Sequence, residues 1–504
     1  MLAQTAYDEL IQKVKEAATL SSVGGLLEWD QQSYMPSGAG KFRADQLSLV
    51  AGLSHKKFTD PRIGELLSEL EATGLGAAGD TPEAANVREL RHQYDKATKL
   101  PGELVSEWAR TVSLAQDEWV GARKHNDFKR FLPWLEKVMD LCRRKAQAYG
   151  CKSEPYDALL DEYEPGASAA ELVETFASLR QDLGVLLEKI RNAPRRPNAG
   201  VVERPYDVQL QRVFGESVAA AMGFDFTRGR LDTTTHPFCT GIGPNDVRIL
   251  TRYNPNRLSD SFFGIMHEAG HALYEMGIEK EANFGAPMGE AASLGVHESQ
   301  SRMWENLVGR SRPFWKYFFP QAQRLFKDAL RGVSLDAFYG AVNDVKPSHI
   351  RVEADEGTYN LHIILRFELE RALLLGDLKP ADVPGEWNAR FKKYLGLEVD
   401  KDSNGCLQDV HWSAGLVGYF PTYTLGNLYS AQLFQKARKD MPDLDSHFER
   451  GEFAPLREWL RDNIHRHGRR YRSGDLCARV TGKPLTHKPF IDYLNSKYAE
   501  IYGF

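Results

Sequence analysis

Residues Ser259–Gly277 read SDSFFGIMHEAGHALYEMG, and this stretch decides how the rest of the chain is understood. His267-Glu268-Ala269-Gly270-His271 has the form H-E-x-x-H. On a helix, residues at i and i+4 share a face, so both imidazoles can reach one metal ion, with Glu268 beside them to take a proton from a bound water. With 14 His in 504 residues, two His and a Glu at these offsets arise by chance about 0.03 times per chain. The neighbours Phe262, Phe263, Ile265, Met266, Ala272 and Leu273 predict a mostly buried helix, capped by Ser259 or Asp260 and ended by Gly277. Two histidines and a glutamate buried together are costly unless paired or bound to metal.

A hydrolytic zinc site needs three protein ligands and one open position. The extended pattern with a third histidine in the same stretch is absent, because Tyr274 and Gly277 stand where Gly and His would be required. The third ligand is therefore sought in Glu290–Asn306, EAASLGVHESQSRMWEN, which has helical composition. His297 and Glu298 are adjacent, about 100° apart on a helix, so they cannot face the metal equally. Glu298 is slightly favoured, since two histidines and a glutamate form a known hydrolytic shell. The competing role for Glu298 is an i,i+4 ion pair with Arg302.

The remaining chemistry-bearing segments are short. His236-Pro237-Phe238 sets a histidine on a stiffened loop, from which it can donate to a substrate; a structural role is the commoner one. Pro347–Glu356 concentrates charge, and Arg351 there can grip a carboxylate with two N–H groups, either a substrate's or that of Asp355. Gly405–Asn427, GCLQDVHWSAGLVGYFPTYTLGN, has few aliphatic residues and reads as a cleft lining more than a core element. In it His411, Tyr419 and Tyr423 can donate to a developing oxyanion, while Trp412 and Phe420 pack.

Most of the chain predicts helix. Ser168–Glu171 is a capping box, followed by Leu172, Phe176, Leu179, Leu183, Leu186 and Ile190 at alternating steps of four and three. Tyr359–Leu375 repeats the pattern with Leu361, Ile364, Leu365, Leu369 and Leu373, and Pro101–Tyr149 is helix-rich. The one convincing strand is Asp246–Tyr253, whose edge is expected to be open to an extended peptide or to be ordinary sheet. Asn192–Pro205, with three prolines, predicts an internal loop between two halves of one body.

Composition excludes several classes. Hydrophobic content of 42%, charged content of 26% and a net charge of −5 with dispersed basic residues fit a globular protein without a nucleic-acid surface. No apolar run reaches 18 residues, and the charged N-terminal stretch lacks a signal-peptide core, so no membrane association is expected. Five scattered cysteines, Cys142, Cys151, Cys239, Cys406 and Cys477, predict free thiols in a reducing cytoplasm.

Taken together, LLEWDQQSYMPSGAG near the N-terminus, HPF at His236, HEAGH at His267, HESQ at His297, IRVEAD at Ile350 and GCLQDVHW at Gly405 resemble, in this order, the carboxypeptidase Taq family of zinc metallocarboxypeptidases. One departure is visible: Leu250 stands where the family's D-x-R-x-T pattern, beginning here at Asp246, has Thr, and Thr251 follows. The resemblance implies a mainly α fold, one domain over residues 1–504 in two lobes. It implies a deep active-site groove and a small β-sheet near the zinc helix, similar to neurolysin-like and angiotensin-converting-enzyme-like peptidases.

It also implies that His267, His271 and Glu298 are the ligands of Zn²⁺, with Co²⁺ or another divalent metal as alternatives, and that Glu268 is the catalytic base. Arg351 is implied as the partner of the substrate's C-terminal carboxylate and Tyr423 as a substrate contact; His236, His411 and Tyr419 are further candidates. The expected activity is removal of single residues from peptide C-termini with broad specificity, by a cytoplasmic homodimer. The rival expectations are a zinc endo- or oligopeptidase with the same metal site, and a catalytically silent metal-binding protein.

Overall fold

The capping box works as its residues require. Ser168 accepts the Glu171 backbone N–H and donates to the Glu171 carboxylate at 3.0 Å, opening the helix Ala169–Arg191. The six apolar residues spaced along that helix are all buried. Pro101–Tyr149 resolves into two helices, Gly102–His125 and Phe128–Tyr149. Asn126 makes the turn between them in the left-handed region (φ 56°), which Asn tolerates better than most residues. This computed structural model describes the chain apart from Met1, Ala77, Ala78 and Lys152.

The chain is mainly helical, with one three-stranded sheet among the described residues, and it divides into two compact units. The first comprises Met1–Thr98, Asn198–Val342 and Leu433–Pro484; the second comprises Lys99–Pro197, Asn343–Gln432 and Leu485–Phe504. The proline-rich loop expected between two halves contains the boundary at Pro197 and Asn198. Among the described residues, no helix is long and apolar enough to cross a membrane.

In the first unit, β1 (Gly229–Thr233), β2 (Phe238–Gly243) and β3 (Asp246–Thr251) stand in the order β1-β3-β2. The predicted strand is thus the central one, parallel to β1 and antiparallel to β2. Its backbone is spent on both sides, so the expectation of an open edge at Asp246–Tyr253 is wrong. The two flanking strands escaped sequence reading because GRLDT and FCTGIG do not alternate cleanly. Leu250 is fully buried at the departure from the family pattern. Thr251 donates to the Ser261 carbonyl at 3.4 Å, tying the sheet to the next helix.

That helix, Leu258–Gly277, carries the H-E-x-x-H residues. It begins one residue before the expected caps. Arg257 is the N-cap and makes no side-chain cap bond, while Asp260 lies in the first turn and accepts from Asn254 Nδ2 at 2.9 Å. Neither Ser259 nor Asp260 is the N-cap. Phe262 stacks on Phe214 and packs against Trp315, with ring centroids 5.2 and 5.1 Å apart. Burying each such ring contributes roughly 1.5–3 kcal/mol, enough to hold the helix whatever its termini do.

In the second unit the helix Tyr359–Leu375 buries Leu361, Ile364, Leu365, Leu369 and Leu373 as predicted, but also Asn360, His362, Arg366 and Glu370. The pattern read as one apolar face belongs to a helix embedded nearly all round, and its polar side meets buried partners where water was expected.

Candidate functional sites

The first centre lies within the first unit. His267 Nε2 and His271 Nε2 stand 3.7 and 3.4 Å from Glu298 Oε2, and all three donor atoms lie within 4.8 Å of one another. Glu298 is on the helix Leu294–Arg302, capped by Ser293. Gly270 explains the approach: a Cβ there would come within 2.7 Å of the Gln300 carbonyl oxygen, so only glycine lets the two helices close to this distance. Sequence reading passed over that glycine.

The chemistry of this donor set fits a divalent cation. Two nitrogens and a carboxylate oxygen converge, and His267 Nδ1 is held by Glu305 Oε2 at 2.9 Å, the outer contact that orients a metal-binding imidazole. Glu305 sits on a π-helical turn, Met303–Val308, which continues the Glu298 helix. Arg302 bonds Glu298 Oε1 at 2.7 Å and Glu305 Oε2 at 3.0 Å. Glu298 therefore keeps its i,i+4 ion pair and still presents its other oxygen to the histidines. His297 points elsewhere, bonding Glu275 Oε1 at 2.8 Å and stacking on the His271 ring.

Electrostatics sort the roles. Burial pushes His271 down to about 3, with His297 adding to the shift, so its imidazole is neutral and available as a donor. Burial works against His267 too, but Glu298 and Glu305 outweigh it and raise it. Glu298 stays below the ordinary carboxylate range despite burial, through Arg302 and the two histidines. Glu268 has no such cationic partner bonded to it, and burial pushes it up to about 7. A carboxyl raised by burial thus stands next to His267, one of three residues whose donor atoms converge.

The second centre lies within the second unit. Arg351 is buried; its Nε and Nη2 donate to Asp409 Oδ1 at 3.0 and 2.8 Å, and Nη1 donates to Tyr359 Oη at 3.0 Å. The pairing with Asp355 does not occur. Asp355 instead accepts from the backbone of Lys346, Gly357 and Thr358, closing its own turn. Asp409 is shared with Arg366, whose Nε donates to Oδ2 at 2.6 Å. His411 Nε2 is 3.2 Å from Tyr423 Oη, and Tyr419 packs against Tyr423 at 5.4 Å. The segment carrying them is mostly buried, with Trp412, Val417 and Phe420 each under 5% exposed, so it packs well although its few aliphatic residues predicted a poor core element. His236 is exposed on the turn between β1 and β2, outside the cluster of ligand atoms.

The comparisons agree with this architecture. The sequence profile of the carboxypeptidase Taq (M32) metallopeptidase family matches residues 9–498, and the chain belongs to that family. It is 47% identical to thermostable carboxypeptidase 1 of Thermus thermophilus and 36% identical to carboxypeptidase 1 of Bacillus subtilis, with all of each chain covered. Its fold matches the crystal structure of an M32 carboxypeptidase from Deinococcus radiodurans with a TM-score of 0.95 at 42% identity, covering 99% of this chain and 100% of that one. Metallocarboxypeptidase 1 of Trypanosoma cruzi follows at TM-score 0.91 and 32% identity, covering 98% and 99%. The protein is a metallocarboxypeptidase, a peptide hydrolase of the divalent-metal type.

Proposed function

We propose that His267, His271 and Glu298 hold a zinc ion, that Glu268 is the general base, and that Arg351 binds the C-terminal carboxylate of the peptide substrate. The observation that carries the first assignment is the convergence of three donor atoms within 4.8 Å of one another beside a carboxyl poised near neutrality. When bound, zinc acidifies water to a pKa of about 7 and polarises the scissile carbonyl. The Glu268 carboxylate takes a proton from the attacking water and returns it to the leaving amine, a role suited to a group titrating near the working pH. Glu305 holds His267 in the tautomer that leaves Nε2 free to donate its lone pair.

Arg351 carries the exopeptidase reading. Of its five N–H groups, the hydrogen bonds within the chain use three, one from Nε, one from Nη1 and one from Nη2. One N–H on each terminal nitrogen is left, a pair matched to a carboxylate's two oxygens. Tyr423, bonded to His411, is the proposed donor to substrate, with Tyr419 beside it; His236 is proposed as a further contact from its exposed turn.

A digest of one peptide with a free C-terminus and the same peptide amidated, read by mass spectrometry with and without chelator, tests the assignment. Loss of single C-terminal residues from the free peptide only, abolished by chelator and restored by Zn²⁺, is expected; internal cleavage of both favours an endopeptidase.

The family profile runs across both units, which supports a single catalytic domain over residues 1–504. Five free cysteines support a cytoplasmic setting. The family resemblance supports a homodimer, which sedimentation equilibrium would check.

A further inference from the structure

Arg366 is fully buried on the helix Tyr359–Leu375, outside the short motifs that mark the candidate site in the sequence. Its guanidinium is flanked by Trp387 and Phe420, 4.6 and 5.4 Å from the ring centroids. Nη1 donates to the His362 carbonyl at 2.7 Å, and Nε donates to Asp409 Oδ2 at 2.6 Å. Arg351 meanwhile takes the other oxygen, Oδ1, with two N–H groups. One carboxylate therefore serves two guanidiniums.

The neighbouring titratable groups do not restore neutrality. Burial drives both His362 and His411 well down, so both are uncharged. Glu370, one turn along the helix from Arg366, bonds Tyr156 Oη, Trp412 Nε1 and the Gly418 N–H and makes no bond to a guanidinium. Burial pushes Glu370 up to about 7, so it adds little negative charge below neutral pH. The cluster Arg351–Asp409–Arg366 is left with one positive charge in excess, in a dry setting where a charge acts strongly. A buried charge without a counter-ion is costly in isolation, and an arriving carboxylate removes that cost.

We propose that Arg366 is a positioning residue for substrate binding: by sharing Asp409 it prevents that carboxylate from cancelling Arg351, so Arg351 keeps an unspent charge, and two unspent N–H groups, for the free C-terminal carboxylate. This rests on the reading of Arg351 as the carboxylate anchor. Without Arg366, Arg351 and Asp409 form a neutral one-to-one pair, and an incoming carboxylate meets Asp409 as a competitor. With both Arg366 and Asp409 neutralised, Arg351 is again a single positive charge.

The test uses the metal-loaded enzyme and three variants: Arg366→Met, Arg366→Lys and Arg366→Met/Asp409→Asn. Two quantities are read: KM for an N-blocked dipeptide with a free C-terminus, and the inhibition constant of its C-terminal amide. Thermal midpoints and circular dichroism establish that each variant is folded. Arg366→Met is expected to raise KM about tenfold or more, with kcat within about threefold and amide binding unchanged. Arg366→Lys is expected to stay within about threefold of the parent, and the double variant to bind the free acid better than Arg366→Met does.

A folded double variant no better than Arg366→Met, or a parallel loss of acid and amide binding in Arg366→Met, overturns the proposal and leaves Arg366 as packing. If Arg366→Met does not fold, the other two carry the test, since each retains one excess charge; a tenfold selective loss of acid binding in either overturns it. Arg351→Ala is measured alongside. Equal loss on acid and amide there rejects the anchor reading and the proposal with it. A selective loss there, with none in Arg366→Met, rejects only the proposal.

Discussion

The two centres of this enzyme are built on opposite plans. The candidate metal cluster draws on the helix Leu258–Gly277 and on Leu294–Arg302 with its π-helical continuation, whose residues are spaced by turns: His267 and His271 four apart, and Glu298, Arg302 and Glu305 four and three apart. The arginine cluster draws on three segments with no local relation, at Arg351, Arg366 and Asp409. In the first, helical periodicity does the assembling and one glycine sets the distance. In the second, a buried carboxylate is the hub, and the fold must bring its partners to it. The consequence is a difference in fragility. A helix turn survives the loss of one side chain, whereas removing the shared Asp409 leaves two buried guanidiniums uncompensated and costs about 3–5 kcal/mol.

Five measurements break or sharpen that contrast. The largest effect is expected from Glu268→Gln, which should lower kcat about 10²–10⁴-fold while leaving metal content, measured by atomic absorption, unchanged. Retained turnover would remove Glu268 from the reaction. Next, Arg351→Ala should reduce kcat/KM on free-carboxylate peptides by about 10²-fold and barely affect binding of the amidated analogue. Glu305→Ala keeps His267, His271 and Glu298 but frees His267 Nδ1, so metal affinity, titrated against a competing chelator, should fall about 10–100-fold with the fold intact. Asp409→Ala, by contrast, should cost about 3–5 kcal/mol in urea unfolding, because two guanidiniums lose their counter-ion.

The smallest effect concerns pH. Asp409 is held well below the ordinary carboxylate range: burial opposes this, and Arg351 and Arg366 outweigh it. Its stabilising contribution is present above its unfolded pKa of about 3.9 and is lost as pH falls. Glu370 has the opposite sign: burial raises it to about 7, so its contribution is full below its unfolded pKa of about 4.3 and is lost as pH rises through 7. Glu370→Gln should therefore flatten the pH dependence of the unfolding midpoint between about pH 4 and 7. An unchanged slope would mean that Glu370 stays ionised throughout.

Residue patterns carried far where the physics is local. A helix repeats every 3.6 residues whatever surrounds it, so the H-E-x-x-H spacing, the capping box at Ser168 and the leucines after it were legible from the chain alone. The apolar residues of Tyr359–Leu375 were legible too, but His362, Arg366 and Glu370, at steps of four on the same helix, were passed over, since polar residues on a helix ordinarily face water. Composition likewise pointed away from nucleic acid and membranes.

Tertiary structure decided what depends on neighbours distant in sequence. Nothing in Pro347–Glu356 says that Arg351 turns to Asp409, 58 residues on, and that Asp355 closes its own turn. Nothing in DVRILTRY says that it lies between two strands without alternating patterns. Ligand chemistry only slightly favoured Glu298 over the adjacent His297, and it is packing across Gly270 that brings Glu298 to the histidines. Local periodicity selects which residues share a face. Which charge meets which across the fold follows from burial, because a charge taken out of water must find a partner wherever the chain has placed one.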